Sequence, residues 1–381
     1  MSGDEHEHDH TREHPQAYGH TQGRNHRHHF EHGNGPRHLS RRGLLMAAAA
    51  SSLALPTHHW ASAATPAISA DMARAAAAWL QLLDVRLRAQ AQIAWADRGR
   101  EGWHYVPRSR PGVPLKAMNE RQVAAAWEVL ATLLSARGLE QVRGGIKLEQ
   151  VLGEMTGNTS FRDPGNYALV IFGDPAGSAP WAWRFEGHHL SISVMVAPGH
   201  GVGVTPVFFG ANPAVVPNGH AHSGFRLLGS EADAAFGLLR SLEGQVRTQA
   251  TISNRSLGDI VAGPQRELSL KSFEGVPLAR LNEAQQAGVM RILELYTGTM
   301  RGEIATAALA KVREAGVGAL HFAWAGSPAA GKPHYFRIHG PAALIEYDNT
   351  QDNADHVHSV WVDPDNLFGR DLLRTHYKGQ H

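Results

Sequence analysis

The chain of 381 residues contains no cysteine. This absence excludes a disulfide scaffold, a zinc or iron–sulfur site with Cys ligands, and thiol chemistry. A strong charge of one sign is also lacking, because 36 Lys and Arg balance 35 Asp and Glu to a net charge of +1. So small a net charge gives no reason to expect binding to nucleic acid or to an anionic membrane. With 43% apolar residues, the chain can nevertheless bury a substantial core.

Three motifs that carry common mechanisms are missing as well. The sequence has no Gly-x-Ser-x-Gly nucleophile elbow, no phosphate-binding loop and no dinucleotide-binding glycine fingerprint. The mechanisms that depend on these motifs therefore lose support. What the chain has in excess is histidine, with 25 residues, and their positions decide what that number means.

The first 63 residues have the features of an export leader. Twelve of the 25 histidines precede residue 64, in a region that begins too polar to offset its ordering entropy. The motif Ser40-Arg41-Arg42-Gly43 follows, then an apolar run over 44–55 that is too short to span a bilayer, and finally Ala61-Ser62-Ala63. This order predicts a twin-arginine signal peptide that is cleaved after Ala63. The alternative is a polar tail joined to a short core helix.

The leader predicts where the mature chain is located and which proteins it meets. We expect the twin-arginine export machinery and a signal peptidase as partners, and a periplasmic or secreted location. No stable membrane insertion is expected after cleavage, and nucleic acid is not an expected partner.

Two stretches of the mature chain share a sequence, which is the signature of internal repetition. Residues 112–115 and residues 275–278 both read Gly-Val-Pro-Leu, and the match continues without a gap through Asn119 and Asn282. Each asparagine has a short side-chain acceptor suited to an N-cap, and apolar residues at helical spacing follow it. The repeat therefore predicts one helix behind each asparagine.

A second match, further along the chain, extends the repetition. Residues 175–187 align with residues 328–340, in the same order as the first match. Together the two matches predict an internal duplication within a single domain at residues 64–377, with units at about 107–217 and 270–377.

Each unit changes from helical spacing to a period of two. Strands are predicted at 167–172, 181–185 and 188–197 in the first unit, and at 319–324, 334–338 and 342–347 in the second. Tight turns are expected at Glu186-Gly187 and at His339-Gly340. Further helices are expected at 73–95 and 231–256. Because strands joined by short turns form antiparallel hairpins, the predicted fold class is α+β, with two helix-plus-antiparallel-β-meander units related by a pseudo-two-fold axis.

The first candidate site is the pair His188-His189 at the start of a predicted strand. Neighbouring side chains on a strand point to opposite faces, so a flat strand does not let both chelate one ion. His189 shares the polar face with Ser191, whereas His188 lies beside a turn, where the alternation can fail. Both are therefore candidate metal ligands. The competing interpretation is a pair of half-buried imidazoles that only make hydrogen bonds.

The second candidate site is His356-Val357-His358. Residues two apart on a strand project from one face, about 6.5–7 Å apart, so both imidazoles can reach one ion. Imidazole suits Zn, Cu, Fe and Ni, and Glu346 and Asp348 supply nearby carboxylates. We predict a transition metal ion (Cu, Zn or Fe) bound by His356 and His358 with His189 or His188, between the two units. The alternative is a structural network of polar residues across the pseudo-dyad.

These sites predict an exported metal-dependent enzyme with either a hydrolytic or an oxidative reaction. In hydrolysis a metal-bound water is the nucleophile, and Glu346 or Asp348 is the general base. A redox metal held by three imidazoles would instead carry out oxidative chemistry, which the absence of cysteine slightly favours. The alternatives are a periplasmic protein that binds a metal or a small ligand without catalysis, and a metal-free hydrolase that uses only His and carboxylates. The sequence identifies no particular small-molecule substrate or ligand.

Four stretches carry a resemblance to a known family. They read Trp-Ala-Trp-Arg-Phe-Glu-Gly-His-His-Leu-Ser at 181–191, Phe-Phe-Gly-Ala-Asn-Pro at 208–213, Ile-Glu-Tyr-Asp-Asn-Thr-Gln at 345–351 and His-Val-His-Ser-Val-Trp at 356–361. In these stretches the chain resembles the DUF3500 family, over about residues 75–377. The resemblance implies exported bacterial and fungal relatives. Because this family is a domain of unknown function, the resemblance supplies no reaction.

Overall fold

A sheet of 13 strands lies at the centre of the computed structural model, which describes residues 64–378. The strands are β1 (Gln92–Ile93), β2 (Val113–Pro114), β3 (Ala168–Phe172), β4 (Trp181–Gly187), β5 (Leu190–Ala197), β6 (Gly201–Gly203), β7 (Val207–Ala211), β8 (Thr251–Ser253), β9 (Val276–Pro277), β10 (His321–Gly326), β11 (His334–Gly340), β12 (Ala343–Thr350) and β13 (His356–Val362). Their order is β1-β3-β4-β5-β7-β13-β12-β11-β10-β8, with β2, β6 and β9 paired to β3, β5 and β10. The pairs β1–β3 and β8–β10 are parallel, and the others are antiparallel. The prediction of a mixed fold with a mainly antiparallel sheet is therefore confirmed.

Ten helices accompany the sheet in the described residues. They are α1 (Ala64–Leu82), α2 (Val85–Ala91), α3 (Glu120–Ala131), α4 (Ala136–Thr156), α5 (Gly229–Ser241), α6 (Gly244–Ala250), α7 (Glu283–Thr297), α8 (Gly302–Glu314), the short turn α9 (Gln351–Ala354) and α10 (Arg370–Lys378). The predicted N-caps are present, because Asn119 accepts from the N–H of Gln122 and Asn282 from that of Gln285, both at 2.9 Å. Each glutamine side chain bonds back to the N–H of its asparagine, which completes a capping box.

Two predicted helices are each divided in two. The helix expected at 73–95 is α1 followed by α2, because the chain is extended at Asp84, whose carboxylate accepts from the N–H of Leu87 (2.8 Å) and starts a new helix. The helix expected at 231–256 is α5 followed by α6, and Leu242 between them is extended. Apolar spacing continued across these breaks, so periodicity alone did not reveal them. Both predicted ranges were also too long, because α2 and α6 are followed directly by the strands β1 and β8.

The hairpin turns lie two residues later than the sequence suggested. Gly187 pairs with Leu190, so His188-His189 forms the turn, and in the second hairpin the turn is Pro341-Ala342. Gly187 lies within β4, where its backbone closely approaches the ring of Tyr167, so glycine does not mark a bend at this position. A Cβ atom at this position would lie 2.4 Å from the ring of Tyr167.

The two faces of the sheet are covered by different parts of the chain. Alternate residues of β5, from Leu190 to Val196, face the helices and belong to the largest apolar cluster. On the opposite face, a second cluster joins Phe208 and Val360 to residues of covering segments, among them Trp103 and Ile260. The buried polar side chains of Glu346 and His358 lie on this second face, where they contact Ala262 and Asp259 of a covering segment.

The described residues belong to one compact unit. Among them, no helix has the length and apolar character needed to cross a membrane. The leader, with its twin-arginine motif and the cleavage site at Ala63, lies outside the described residues.

Candidate metal centre

The turn between β4 and β5 positions the two neighbouring histidines. His189 has a positive φ of 58°, in the left-handed region, which costs a residue with a side chain about 1–2 kcal/mol. Two backbone hydrogen bonds hold it there. Its N–H donates to the carbonyl oxygen of Tyr105 (3.0 Å), and its own carbonyl oxygen accepts from the N–H of Gly210 on β7 (2.7 Å). Backbone strain of this kind clusters at functional sites, so the turn is a first indication of one.

The segment between β12 and β13 positions two further histidines. Residues 352–354 have three consecutive positive φ angles, between 50° and 69°, and they reverse the chain tightly. The N–H of His356 then donates to Oδ1 of Asn349 (3.1 Å), which fixes the start of β13. His358, two residues on, pairs in register with Gly210 of β7. The strand β7 therefore lies between the two histidine-bearing segments and bonds to both.

Three imidazoles converge at this point. Nε2 of His189 lies 2.9 Å from Nε2 of His356 and 3.4 Å from Nε2 of His358. One ligand nitrogen from each ring lies within 4.8 Å of the other two, and no other such cluster of His, Asp or Glu occurs in residues 64–378. His189 and His358 are 6% and 5% exposed, whereas the side chain of His356 is 16% exposed. The cluster is therefore nearly enclosed, with His356 on its most open side.

Carboxylates contact two of these imidazoles from behind. Nδ1 of His356 lies 3.0 Å from Oδ2 of Asp352, and Nδ1 of His358 lies 2.7 Å from Oδ1 of Asp259. A carboxylate on Nδ1 holds the ring proton there and leaves Nε2 with a free lone pair, which is the arrangement found behind metal-bound histidines. Tyr105 donates its hydroxyl to the other oxygen of Asp259 (3.0 Å), and its ring centroid lies 4.6 Å from that of His358.

Burial favours the neutral form of two of the three rings. Loss of solvent lowers the pKa of His189 well below its usual value, and it lowers the pKa of His356 to about 4. The adjacent histidines lower both pKa values further, because a second positive charge beside them is unfavourable. Neutral imidazoles that point lone pairs at each other need a shared proton or a cation between them. The donor set therefore fits a metal ion that prefers nitrogen ligands.

Glu346, one of the two predicted general bases, is engaged in other contacts. Its carboxylate is fully buried and accepts three hydrogen bonds: from the N–H of Val261 (2.9 Å), from the N–H of Ala262 (2.6 Å) and from the hydroxyl of Tyr335 (2.6 Å). These bonds attach the covering loop to the sheet.

Asp348, the other predicted base, lies next to the cluster. It pairs in register with His358 across β12 and β13, so the two side chains share one face of the sheet. Its carboxylate accepts from the N–H (3.0 Å) and the hydroxyl (2.9 Å) of Thr350. Burial raises the pKa of Asp348 to about 6. The catalytic role of either carboxylate stays a prediction.

His188 supports the cluster from outside it. Its ring stacks on that of His189 with centroids 3.7 Å apart. Its Nδ1 is hydrogen-bonded to Glu149, and Nη1 of Arg162 lies 3.0 Å from the same atom. The structure thus brings His189, His356 and His358 together and directs the nitrogens of His188 elsewhere, and its role as a ligand stays a prediction.

Sequence reasoning missed Asp259 and Tyr105. Asp259 precedes His358 by 99 residues, and both missed residues lie in segments with no motif and no strand periodicity. Asp352 did carry a signal, because it belongs to the polar stretch directly before His356.

Gly210 makes room for the ring of His189. A Cβ atom at this glycine would lie 2.8 Å from Cγ and Cδ2 of that ring, closer than van der Waals contact allows. Gly210→Ala is therefore expected to move the ring and to weaken metal binding by about 10–100-fold, the usual cost of disturbing a ligand's support. Competition with a chromophoric chelator measures this effect. Gly302→Ala, where nothing lies within 4 Å, is the matched control. An affinity within twofold of the unmodified protein would show that the ring does not depend on this space.

Comparison with known proteins gives one match. A family model described as "Protein of unknown function (DUF3500)" matches residues 65–370, a range that includes the three imidazoles and both carboxylates behind them. No curated protein and no solved structure matches the chain.

Proposed function

Since the chain belongs to the DUF3500 family, whose description states no activity, we propose its function from the site itself. The protein is an exported metalloprotein and a metal-dependent enzyme. Its ion is bound by Nε2 of His189, His356 and His358. The observation that carries the proposal is the convergence of three imidazole nitrogens within 4.8 Å.

The donor set supports a transition metal. Three imidazoles without thiolates or additional carboxylate ligands suit Zn, Cu or Fe, and they do not suit Mg²⁺ or Ca²⁺, which take oxygen ligands. The carboxylates of Asp352 and Asp259 fit the role of partners that orient ligating histidines. Which of the three metals binds is a matter for the experiment below.

An enzyme is favoured over a purely structural site by the number of ligands. Catalytic zinc sites commonly have three protein ligands and one open position, whereas structural zinc sites have four. A bound ion would supply either a water of lowered pKa for hydrolysis or a redox centre for oxidation. Asp348 is the better supported base, because it shares the face of His358, whereas the carboxylate of Glu346 is engaged by three donors.

A non-catalytic metal carrier in the periplasm is the second candidate. Burial of the cluster favours it, because only His356 among the three ligands has appreciable contact with solvent, which leaves a substrate little access to the ion. A carrier releases its metal to a partner, whereas an enzyme retains it through turnover.

We also propose that the domain arose by duplication, with its site between the two halves. The strand order runs β1-β3-β4-β5-β7 and then, reversed, β13-β12-β11-β10-β8, so each half ends in a parallel edge strand. The repeated Gly112 and Gly275 have φ angles of 96° and 97°. These correspondences support a pseudo-two-fold relation, in which His189 comes from one half and His356 and His358 from the other.

Export through the twin-arginine machinery, cleavage by a signal peptidase and a periplasmic or secreted location are part of the same proposal. Their support is the sequence of residues 40–63, and the family match begins at residue 65, directly after the expected cleavage at Ala63.

Elemental analysis of the protein isolated from the exported fraction of its own host tests the proposal. We expect about one transition metal ion per chain and an N-terminus at Ala64. A metal content below about 0.2 per chain, an order-of-magnitude limit for a site that should be occupied, would contradict the metal site. Chelator competition then separates the two candidates, since a carrier exchanges its ion far faster than an enzyme.

A further inference from the structure

A cleft of about 430 Å³ lies against His188, the ring that stacks on His189. Residues 107–110 line one part of it, and residues 160–168 contribute to another. Its volume falls in the range of small-molecule sites. The metal centre described above makes no use of this cleft.

The charges that line the cleft leave one cation without a partner. Glu149 is hydrogen-bonded to His188, and Asp163 pairs with Lys116 at 2.9 Å. The side chain of Arg108 lines the cleft and is exposed, and within residues 64–378 it has neither an ion pair nor a hydrogen bond. A guanidinium presents donors in a planar fork that matches a carboxylate.

The segment that carries Arg108 is fixed in place. Nη2 of Arg110 donates to the carbonyl oxygens of His104 (3.2 Å), Val106 (2.6 Å) and Gly187 (3.0 Å), and its Nη1 donates to the carbonyl oxygen of Arg108 (3.2 Å). The bond to Gly187 joins this segment to the hairpin of His188. Because the backbone is already ordered, a ligand would need to order only the Arg108 side chain.

An aromatic ring supplies an apolar surface in the same cleft. Phe161 is 52% exposed and lines the cleft, so its ring offers apolar surface to a ligand there. The guanidinium of Arg162 lies 5.1 Å from the centroid of its ring and covers one side of it. Pro107 and Pro114 line the cleft as well.

We propose that this cleft binds a small organic carboxylate with an apolar body. The carboxylate pairs with Arg108, the body lies against Phe161, and the ligand reaches His188 and hence the neighbourhood of the metal centre. As the substrate class of that centre the assignment rests on the proposed function, but binding in the cleft does not require the metal.

Titration calorimetry on the metal-free full chain with three probes tests the proposal. Benzoate has both the charge and the ring, benzamide has only the ring, and acetate has only the charge. We expect benzoate to bind about tenfold more tightly than either of the others, because each of them lacks one of its two contacts. Benzamide lacks the charge-assisted contact, and acetate lacks the apolar contact. Arg108→Gln should remove the preference for benzoate over benzamide, and Phe161→Ala should remove the preference for benzoate over acetate. Arg121→Gln, which alters an exposed arginine on α3, should change neither.

Equal binding of benzoate and benzamide, an unchanged preference in Arg108→Gln, or no benzoate binding at millimolar concentration would each overturn the proposal. A metal titration of the same samples keeps the two proposals separate. A chain that binds benzoate and no metal contradicts the metal centre alone, whereas a chain that binds metal and no benzoate contradicts the cleft alone.

Discussion

His356→Ala and His358→Ala are each expected to weaken metal binding by about 10²–10³-fold, roughly the share of one ligand in the binding free energy of a tight site. Each substitution removes one of three nitrogens that face a common point. It also leaves a carboxylate, Asp352 or Asp259, without the imidazole that it contacts. Competition against a chromophoric chelator gives the affinity, and metal content after dialysis gives the occupancy.

Three further variants make this result specific. His222→Ala removes an exposed histidine outside the cluster and should leave the affinity unchanged. His188→Ala should retain most of the affinity, because Nδ1 of His188 is bound to Glu149, whereas His189→Ala should behave like the other two ligand variants. Circular dichroism confirms that each variant is folded. Wild-type affinity in His356→Ala and His358→Ala would rule out this centre, and equal losses in His188→Ala and His189→Ala would add His188 to the ligands.

Gly112→Ala and Gly275→Ala are each expected to lower the free energy of unfolding by about 3–5 kcal/mol, a large part of the 5–15 kcal/mol typical of a domain. A Cβ atom at Gly112 would lie 2.3 Å from the carbonyl oxygen of Leu169, and one at Gly275 would lie 2.2 Å from that of Phe322. The φ angles of 96° and 97° add backbone strain for any residue with a side chain. Because the obstacle is backbone of an interior strand, it cannot move aside as a flexible side chain would.

Urea denaturation measures this loss, and Gly237→Ala provides the control. Gly237 lies within α5 with no atom closer than 4.0 Å to an added Cβ, so alanine there should leave stability unchanged or raise it by up to about 1 kcal/mol. A loss below 1 kcal/mol in both test variants would contradict the steric argument. A large loss in only one of them would count against equivalent roles for the two repeated segments.

The fold was predictable from the sequence where the determining contacts are local. The capping boxes at Asn119 and Asn282 depend on residues three apart, and each asparagine does begin a helix. The alternation in β5 predicted which residues face the core. The first hairpin turn was predicted two residues too early because Gly187 indicated a bend. Glycine is needed at this position for a different reason, since a side chain there would clash with the ring of Tyr167, twenty residues earlier in the chain. Nothing in the local sequence reports that contact.

The candidate site was predictable only in part, for the same reason. The spacing of His356 and His358 is a local pattern, and it pointed to two of the three converging rings. Strand alternation favoured His189 of the neighbouring pair, and His189 is the one that joins the cluster. The two residues form a turn rather than part of a strand, however, so alternation could not predict that their rings stack. Asp259 reaches His358 only because a loop crosses the second face of the sheet.

The long separation of the ligands along the chain bears on when a metal can enter. His189 lies 167 residues from His356 and 169 residues from His358, so an unfolded chain offers no preformed site. Loading must therefore follow closure of the sheet between β7 and β13. Proteins that use the twin-arginine route cross the membrane already folded, so under the proposed export the ion would be acquired in the cytoplasm. The supply of metals there, rather than the order of intrinsic affinities, would then decide which ion the protein carries out of the cell.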